Sequence, residues 1–275
     1  MRKNQNWIWL TDIHLDFLED PAIHAFMQRL DGMDAGGLII SGDIATGSDL
    51  IRKLQFMADH FRGKICFVLG NHDYYGRSIR VVREAVADLT RNHDRLFWLP
   101  EREAVQLRPH LALLGQDGWC DGRAGDYEGS GIRLNDFGMI DDLRRKNKAE
   151  RLAIIQELSD AETDRAERGI REALASYRDV IFVTHVPPFA EVSLGPDGKV
   201  HLDWVPFFCA QSMGNRLVDI MREHPTHRLL VLCGHTHTQA VGRILPNLTV
   251  RVGGAAYGTP GLSGLIDFED LEAMF

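Results

Sequence analysis

The chain has 275 residues, of which 44% are hydrophobic and 25% are charged, a composition typical of a folded globular protein. Its formal net charge of -8 disfavours a long non-specific contact with nucleic acid, although it does not exclude a local basic groove. The length allows one large α/β domain or two small ones, and we expect a single domain over residues 1–275.

The N-terminal and cysteine patterns favour a cytoplasmic protein without a membrane partner. The apolar run Trp7–Leu10 is shorter than a signal-peptide core. No stretch approaches the ~20 apolar residues that span a bilayer. There are four cysteines without a Cys-x-x-Cys pair, and Cys66 and Cys233 fall inside predicted buried strands, as expected for a reducing compartment.

The first part of the chain alternates strands and helices. Strands are predicted at residues 7–10, 38–40 and 65–69, and helices begin near residues 20, 48 and 78. This β-α-β-α-β-α order is typical of a largely parallel sheet that is covered by helices. The predicted fold class is therefore α/β.

The pattern changes in the middle of the chain. Three short strands, at 96–99, 104–108 and 111–114, are typical of hairpins or sheet edges rather than crossover units. Residues 115–142 are rich in glycine and lack periodicity, which favours a lid that faces the substrate. Residues 146–177 are predicted to be helical, with a capping box at 159–162 that indicates two helices meeting there.

The last part of the chain returns to buried strands, which are followed by histidines. Strands are predicted at 180–183 and 229–232, with a helix from Pro206 between them. A hairpin around Pro246-Asn247 and a last strand near 262–267 complete the pattern.

Five predicted strands end directly before side chains that bind metals or move protons. In chain order these are Asp12 and His14, Asp43, Asn71 and His72, His185, and His235 and His237. Ligands of open α/β sheets bind beyond the carboxyl ends of strands, so we expect these side chains to meet there. Alternate residues project to one side of an extended chain, so the pairs Asp12/His14 and His235/His237 could each offer two donors to one site.

These donors predict a pair of metal ions. Carboxylate, imidazole and amide oxygen, without thiolate, suit Mn, Fe, Zn or Co. Seven such ligands, His72 excluded, exceed the needs of one tetrahedral ion and suit two ions that share a carboxylate. Two ions ~3.5–4 Å apart can hold a bridging hydroxide that attacks phosphorus, while a cationic side chain helps to offset the phosphoryl charge. The predicted reaction is hydrolysis of a phosphoester.

Each motif alone also occurs in turns, helix caps and packed cores. His185 in front of Pro187-Pro188, for example, would by itself be structural. Two histidines that flank one residue after a strand seldom serve packing. The ordered occurrence of every motif after a strand argues against structural roles for all of them.

Together the motifs resemble those of the calcineurin-like metallophosphoesterase superfamily. The resemblance is carried by Asp12-x-His14, Gly42-Asp43, Gly70-Asn71-His72-Asp73, His185 and Gly234-His235-x-His237. It implies a four-layer α-β-β-α sandwich of two mixed sheets, with the metal site at the carboxyl ends of strands. It implies one metal held by Asp12, His14, Asp43 and His237, and a second held by Asp43, Asn71, His185 and His235. Asp43 would bridge two Mn, Fe or Zn ions, and His72 would stabilise the phosphate or protonate the leaving oxygen.

The chain departs from the Ser/Thr protein phosphatase branch of that superfamily. Its second motif continues Ile44-Ala45-Thr46-Gly47 instead of x-x-Asp-Arg-Gly, and its third motif ends in Asp73 instead of Glu. His185-Val186-Pro187-Pro188 is more similar to the phosphodiesterase branches. Two alternatives stay open. One is a DNA or RNA exonuclease, which a deep Lys/Arg-lined groove would favour, and the other is a non-catalytic scaffold of the same fold.

The expected partner is a small phosphoester, with a nucleotide as one option and nucleic acid not favoured. Tyr74 and Tyr75 could stack on a base or simply pack beneath their loop. Arg123 or Arg133 in the glycine-rich stretch could grip a phosphate. The kinase-like tripeptide that begins at Asp136 is discounted, because no other kinase motif accompanies it.

Overall fold

The computed structural model describes residues 6–268, 270–271 and 274–275, and it arranges its strands in two sheets. The strands are β1 Trp7–Leu10, β2 Gly37–Ser41, β3 Lys64–Val68, β4 Leu96–Trp98, β5 Val105–Arg108, β6 Leu111–Gly115, β7 Asp179–Val183, β8 Arg228–Cys233, β9 Ala240–Leu245, β10 Leu248–Val252 and β11 Gly264–Ile266. The α-helices are α1 Asp20–Gly32, α2 Leu50–His60, α3 Ile79–Thr90, α4 Asp136–Met139, α5 Lys148–Leu174, α6 Val205–Phe208 and α7 Gln211–Glu223. Within the described residues, no helix combines the length and the apolar character needed to cross a membrane.

Both sheets are mixed. The first has the order β11-β1-β2-β3-β4, in which only β11 is antiparallel to its neighbour. The second has the order β5-β6-β7-β8-β10-β9, in which only the two edge strands are antiparallel. Parallel pairing therefore places the carboxyl ends of β1, β2 and β3 at one edge of the first sheet, and those of β7 and β8 at one edge of the second.

Residues of each strand alternate between the sheet-sheet interface and the helix layers. Trp9 of the first sheet and Leu113 and Ile181 of the second belong to one buried apolar cluster between the sheets. Their neighbours, such as Ile8 and Phe182, belong to a cluster that includes the apolar faces of the long helices. Strands that are buried on both faces explain the unbroken apolar runs in the sequence. The four-layer α-β-β-α sandwich is therefore confirmed.

The short central strands correct part of the sequence prediction. β5 forms the predicted edge hairpin with β6, and β4 is an edge strand. However, β4 pairs in parallel with β3 after the α3 crossover, and β6 lies inside the second sheet, parallel to β7. Buried runs of three to five residues have no periodicity that distinguishes an interior strand from an edge strand.

One continuous helix, α5, replaces the two helices predicted to meet near Ser159. The Ser159 hydroxyl lies 3.3 Å from the Ser212 hydroxyl of α7. Glu162 forms an ion pair with Arg83 of α3 and accepts a hydrogen bond from the Gly118 amide. The serine and glutamate that spell a capping box thus make tertiary contacts instead, and the helix continues past them.

A buried polar network centred on Asp117 lies behind the strand ends. Its carboxylate accepts hydrogen bonds from the Leu69 amide at 2.9 Å, the Trp98 indole at 2.9 Å and the Tyr74 hydroxyl at 2.8 Å. Arg83 lies between the carboxylates of Asp117 and Glu162, and both carboxylates are almost completely buried. The Asp117 carbonyl accepts a hydrogen bond from the His185 amide at 2.7 Å. The network therefore connects the loop after β3 to the loop after β7.

Replacing Arg83 with alanine should lower the free energy of unfolding by about 3–5 kcal/mol, because two buried carboxylates would lose their counter-charge. The matched control is Arg80→Ala on the same helix, where Arg80 forms an exposed pair with Glu84. That control should cost no more than about 1 kcal/mol. Urea denaturation of the two variants and the wild type measures the difference. Similar small losses in both variants would contradict this role for Arg83.

Candidate metal centre

The ends of β1, β2, β3, β7 and β8 bring the predicted site residues to one edge of the sandwich. Five of these residues have left-handed backbone, with φ between 39° and 69°: Asp12, His14, Asp43, His235 and His237. Only two other non-glycine residues of the described chain share this conformation. Such backbone costs about 1–3 kcal/mol per residue and persists only where surrounding structure enforces it. Backbone strain is thus concentrated at this edge.

A first group of donors consists of Asp12, His14, Asp43 and His237, whose ligand atoms all lie within 4.8 Å of one another. His14 Nε2 is 3.2 Å from His237 Nε2 and 3.8 Å from Asp43 Oδ2. His237 Nε2 is 3.3 Å from Asp12 Oδ1. Burial lowers the pKa of His14 to about 4, so its imidazole is neutral at pH 7. These four side chains could hold a metal ion.

A second group forms around the other oxygen of Asp43. Asn71 Oδ1 is 3.0 Å from both His185 Nε2 and His235 Nδ1, and these two nitrogens are 3.2 Å apart. His185 Nε2 is 3.4 Å from Asp43 Oδ1. Asp43 thus presents one carboxylate oxygen to each group.

Outer hydrogen bonds determine which atoms face the second group. His185 Nδ1 is 2.8 Å from the Ser41 carbonyl, and His235 Nε2 is 3.0 Å from the Phe207 carbonyl. A carbonyl only accepts, so each ring donates there and turns its other nitrogen towards the group. The Asn71 amide nitrogen donates to Asp136 at 2.9 Å, which leaves the amide oxygen facing inward. Three acceptors therefore face one another, and this arrangement requires a proton or a metal cation among them.

The pKa values of the second group reflect the same demand for positive charge. Burial disfavours a charged His185, but the Asp43 carboxylate outweighs burial and raises the pKa of His185 to about 10. Burial, followed by the charge of His185, lowers the pKa of His235 to about 4. The group thus takes up one positive charge, and its imidazole, amide and carboxylate donors fit a divalent metal ion.

Two glycines of the motifs are required by close approach. A Cβ atom at Gly70 would overlap Asp43 Oδ1, and a Cβ atom at Gly234 would overlap the Thr11 hydroxyl and Asp12 Oδ2. Glycine precedes Asn71 and His235 because a carboxylate of a neighbouring strand end occupies that space.

The two histidines of the last motif serve different groups. His235 faces Asn71 and His185, whereas His237 faces His14 and Asp12. This division matches the two ligand sets that the family resemblance implies, whereas strand alternation by itself would have pointed both histidines at one ion. Both residues are left-handed, with φ of 69° and 58°, so the alternation of an extended strand does not apply to them.

His72 lies beside the two donor groups. Its backbone amide donates to Asp43 Oδ1 at 2.9 Å. Its ring stacks on Tyr75, with centroids 4.2 Å apart, and its centroid is 4.6 Å from that of His14. The position suits the uncoordinated role that the family resemblance implies, and that role stays a prediction.

A cavity of about 280 Å³, here called the metal-site cavity, opens over both donor groups. Much of its wall is aromatic, formed by Tyr75, Trp204, Phe208 and Tyr257. None of the described residues that line it is a lysine or an arginine. The cationic side chain expected beside the metals is therefore not part of this wall.

The tyrosines and arginines that the sequence suggested as substrate contacts lie in different environments. Tyr74 is fully buried and hydrogen-bonded to Asp117, so it offers no ring face to a ligand. Tyr75 lines the metal-site cavity, with one ring face against His72. Arg123 forms ion pairs with two aspartates, Asp121 and Asp160. Arg133 lines a neighbouring cavity.

Asp136 is the residue that sequence reasoning missed. It is buried, and its Oδ1 accepts hydrogen bonds from the Asn71 amide at 2.9 Å and from the Tyr75 hydroxyl at 2.6 Å. The tripeptide that begins at Asp136 is discounted in the sequence because it resembles an isolated kinase motif, and no spacing rule connects Asp136 to Asn71. Residues 134–136 line the metal-site cavity, so the end of the glycine-rich segment faces the site, while its function as a lid stays a prediction.

Comparisons with known proteins identify the family and the fold. A family model described as calcineurin-like phosphoesterase matches residues 8–239. The chain is similar in structure to a phosphopantetheinyl hydrolase from Mycobacterium tuberculosis, with 13% identity and a TM-score of 0.62 over 94% of this chain and 91% of that one. It is also similar to a dimetal phosphatase from Danio rerio, with 10% identity and a TM-score of 0.59 over 93% and 89%. Identities this low show the shared fold alone, and no curated protein matches the chain significantly in sequence.

Replacing Asp136 with alanine should weaken the affinity for the metal ion of the second group by about 10–100-fold, because the Asn71 amide would lose the partner that orients it. Titration of the chelated protein with Mn²⁺, followed by calorimetry, measures the affinity. Asp141→Ala, which removes an exposed carboxylate paired with Arg144 in the same segment, is the matched control. Equal affinities in the two variants would contradict this orienting role.

Proposed function

Because this chain belongs to the calcineurin-like phosphoesterase family, we propose that it hydrolyses a phosphodiester with two divalent metal ions, Mn, Fe or Zn. The observation that carries the proposal is the set of inward-facing acceptors on Asn71, His185 and His235, next to an oxygen of Asp43 that lies 3.4 Å from His185 Nε2. Asp12, His14, Asp43 and His237 would hold one ion, and Asp43, Asn71, His185 and His235 would hold the other.

The side chains around the metal-site cavity fit this chemistry. When bound, the metal pair would polarise the phosphoryl group and make water a better nucleophile. His72 lines the cavity and would protonate the leaving oxygen. Asp136 and the carbonyls of Ser41 and Phe207 keep the inward-facing donor atoms in place, so that they need not reorganise during the reaction.

The charge of the cavity wall favours a diester over a monoester. A phosphomonoester carries about 1.5–2 negative charges at pH 7, and its diester carries fewer. The described wall of the metal-site cavity has no lysine or arginine to offset the additional charge. The same composition gives no support to the exonuclease alternative, which calls for a basic groove beside the metals. The convergence of all seven candidate metal ligands also gives no support to the alternative of a non-catalytic scaffold, which would be expected to have lost ligands.

The metal-loaded protein should hydrolyse bis-(p-nitrophenyl) phosphate with a higher kcat/KM than p-nitrophenyl phosphate, because the cavity wall suits the lower charge. Release of p-nitrophenolate measures both reactions. Chelation should abolish turnover, and addition of Mn²⁺ or Zn²⁺ should restore it. An absence of turnover of either ester with Mn, Zn, Fe, Co or Ni would rule out the proposal.

Replacing His72 with alanine should lower kcat for the diester by about 100-fold or more, because proton transfer to the leaving oxygen would be lost. The metal content, measured by elemental analysis, should stay close to that of the wild type. His24→Ala, at an exposed position on α1, is the control for loss of an imidazole. A loss of bound metal equal to the loss of activity would assign His72 to the metal site instead.

A further inference from the structure

A second cavity, of about 630 Å³, adjoins the metal-site cavity. Leu134 lines both cavities. Phe207 also lines the second cavity, and its carbonyl oxygen is the partner of His235 Nε2. A residue of the second cavity is thus hydrogen-bonded directly to a candidate metal ligand, His235.

Three cations line this second cavity: Arg133, Lys148 and Arg151. No described residue with an acidic side chain lines it. We call it the cationic cavity. In a chain with a net charge of -8, three positive charges around one opening are a local reversal of sign.

The charges of these three side chains are not neutralised within the described part of the chain. Lys148 Nζ donates to the carbonyls of Glu128 and Ser130, at 2.6 Å and 2.9 Å. Arg151 donates to the Leu143 carbonyl, and its guanidinium lies 4.6 Å from the centroid of the Phe137 ring. Carbonyl dipoles and ring faces position a cation without cancelling its charge. By contrast, Arg123 in the same glycine-rich segment is paired with aspartates.

Two of the three cations lie at the N-terminus of α5, where the helix dipole disfavours positive charge. Lys148 and Arg151 are in the first turns of α5, where the helix dipole is positive and favours acidic side chains. The acidic residue of that first turn, Glu150, is engaged in a capping box with Asn147. Like charges close to a helix N-terminus repel one another and the dipole, and an anion in the cavity would relieve both repulsions.

We propose that the cationic cavity binds a second anionic group of the substrate, a phosphate or a carboxylate, while the phosphoester lies in the metal-site cavity. This assignment rests on the proposed function. The aromatic residues Tyr127, Phe137 and Phe207 line the same cavity, and the Phe207 ring centroid lies 5.3 Å and 6.0 Å from those of Tyr127 and Phe137. The substrate would therefore carry a planar or apolar part next to its second anion. The substrate class is thus a phosphoester with one further negative group. The phosphoester would bind in the metal-site cavity and the second negative group in the cationic cavity.

Two ligands that differ by one phosphate test the proposal: adenosine 5′-monophosphate and adenosine 3′,5′-bisphosphate. Calorimetry on the full-length Mn²⁺-loaded protein should show at least about tenfold tighter binding of the bisphosphate, as expected for one added charge-assisted contact. In Arg133→Gln and in Arg151→Gln, this preference should fall to less than about threefold. Arg80→Gln, which removes an exposed cation on α3, should keep the full preference.

Turnover of bis-(p-nitrophenyl) phosphate, which has no second anion, separates the possible failures. It should be unchanged in both cavity variants. Equal binding of the two nucleotides by the wild type, or a preference that survives both substitutions, would overturn the proposal. A loss of diester turnover in the same variants would also overturn it, since the arginines would then support the metal site. A wild type that turns over no ester but shows the arginine-dependent preference would retain the anion site and reject the proposed enzyme.

Discussion

Three acceptor atoms that face one another are the constraint on which the rest of the site depends. Asn71 Oδ1, His185 Nε2 and His235 Nδ1 approach to 3.0–3.2 Å. Groups behind them use up the matching donors, so the inward side has lone pairs and no N–H unless a proton is added. A buried cluster of acceptors is unfavourable by itself and becomes favourable when a cation is among them. The site is thus prepared for positive charge before any ligand arrives.

The fold stabilises this unfavourable arrangement from two sides. Donor residues just after β1, β2 and β8 have left-handed backbone. The close approach of Asp43 and Asp12 to glycine backbone leaves little room for another packing. Behind the strand ends, Asp117 joins the loop of Asn71 to the amide of His185, so two sheets hold one site. Strain of about 1–3 kcal/mol per left-handed residue is tolerable only because the flanking strands are buried on both faces.

Charge is divided between two adjoining cavities. The metal-site cavity combines carboxylates and imidazoles with aromatic walls, and its described lining has no lysine or arginine. The cationic cavity has three cations and, in its described lining, no acid. Residues 134–137, within the glycine-rich segment, contribute Leu134 and Phe137 to the cationic cavity and Asp136 to the orientation of Asn71. One short segment therefore contributes to both cavities.

The sequence by itself determined the α/β class, the positions of most strands and the eight residues at the strand ends, because apolar runs, helical stripes and the motifs that follow them are local patterns. The family resemblance already implied how the donors divide, but only the tertiary structure gives the physical reason, since the separation of His235 from His237 depends on left-handed backbone that alternation rules do not describe. The tertiary structure also decided the single helix α5, the interior place of β6 and the contact of Asp136 with Asn71. Each of these depends on partners that are distant along the chain, and the residues themselves carry no periodicity or spacing that identifies those partners.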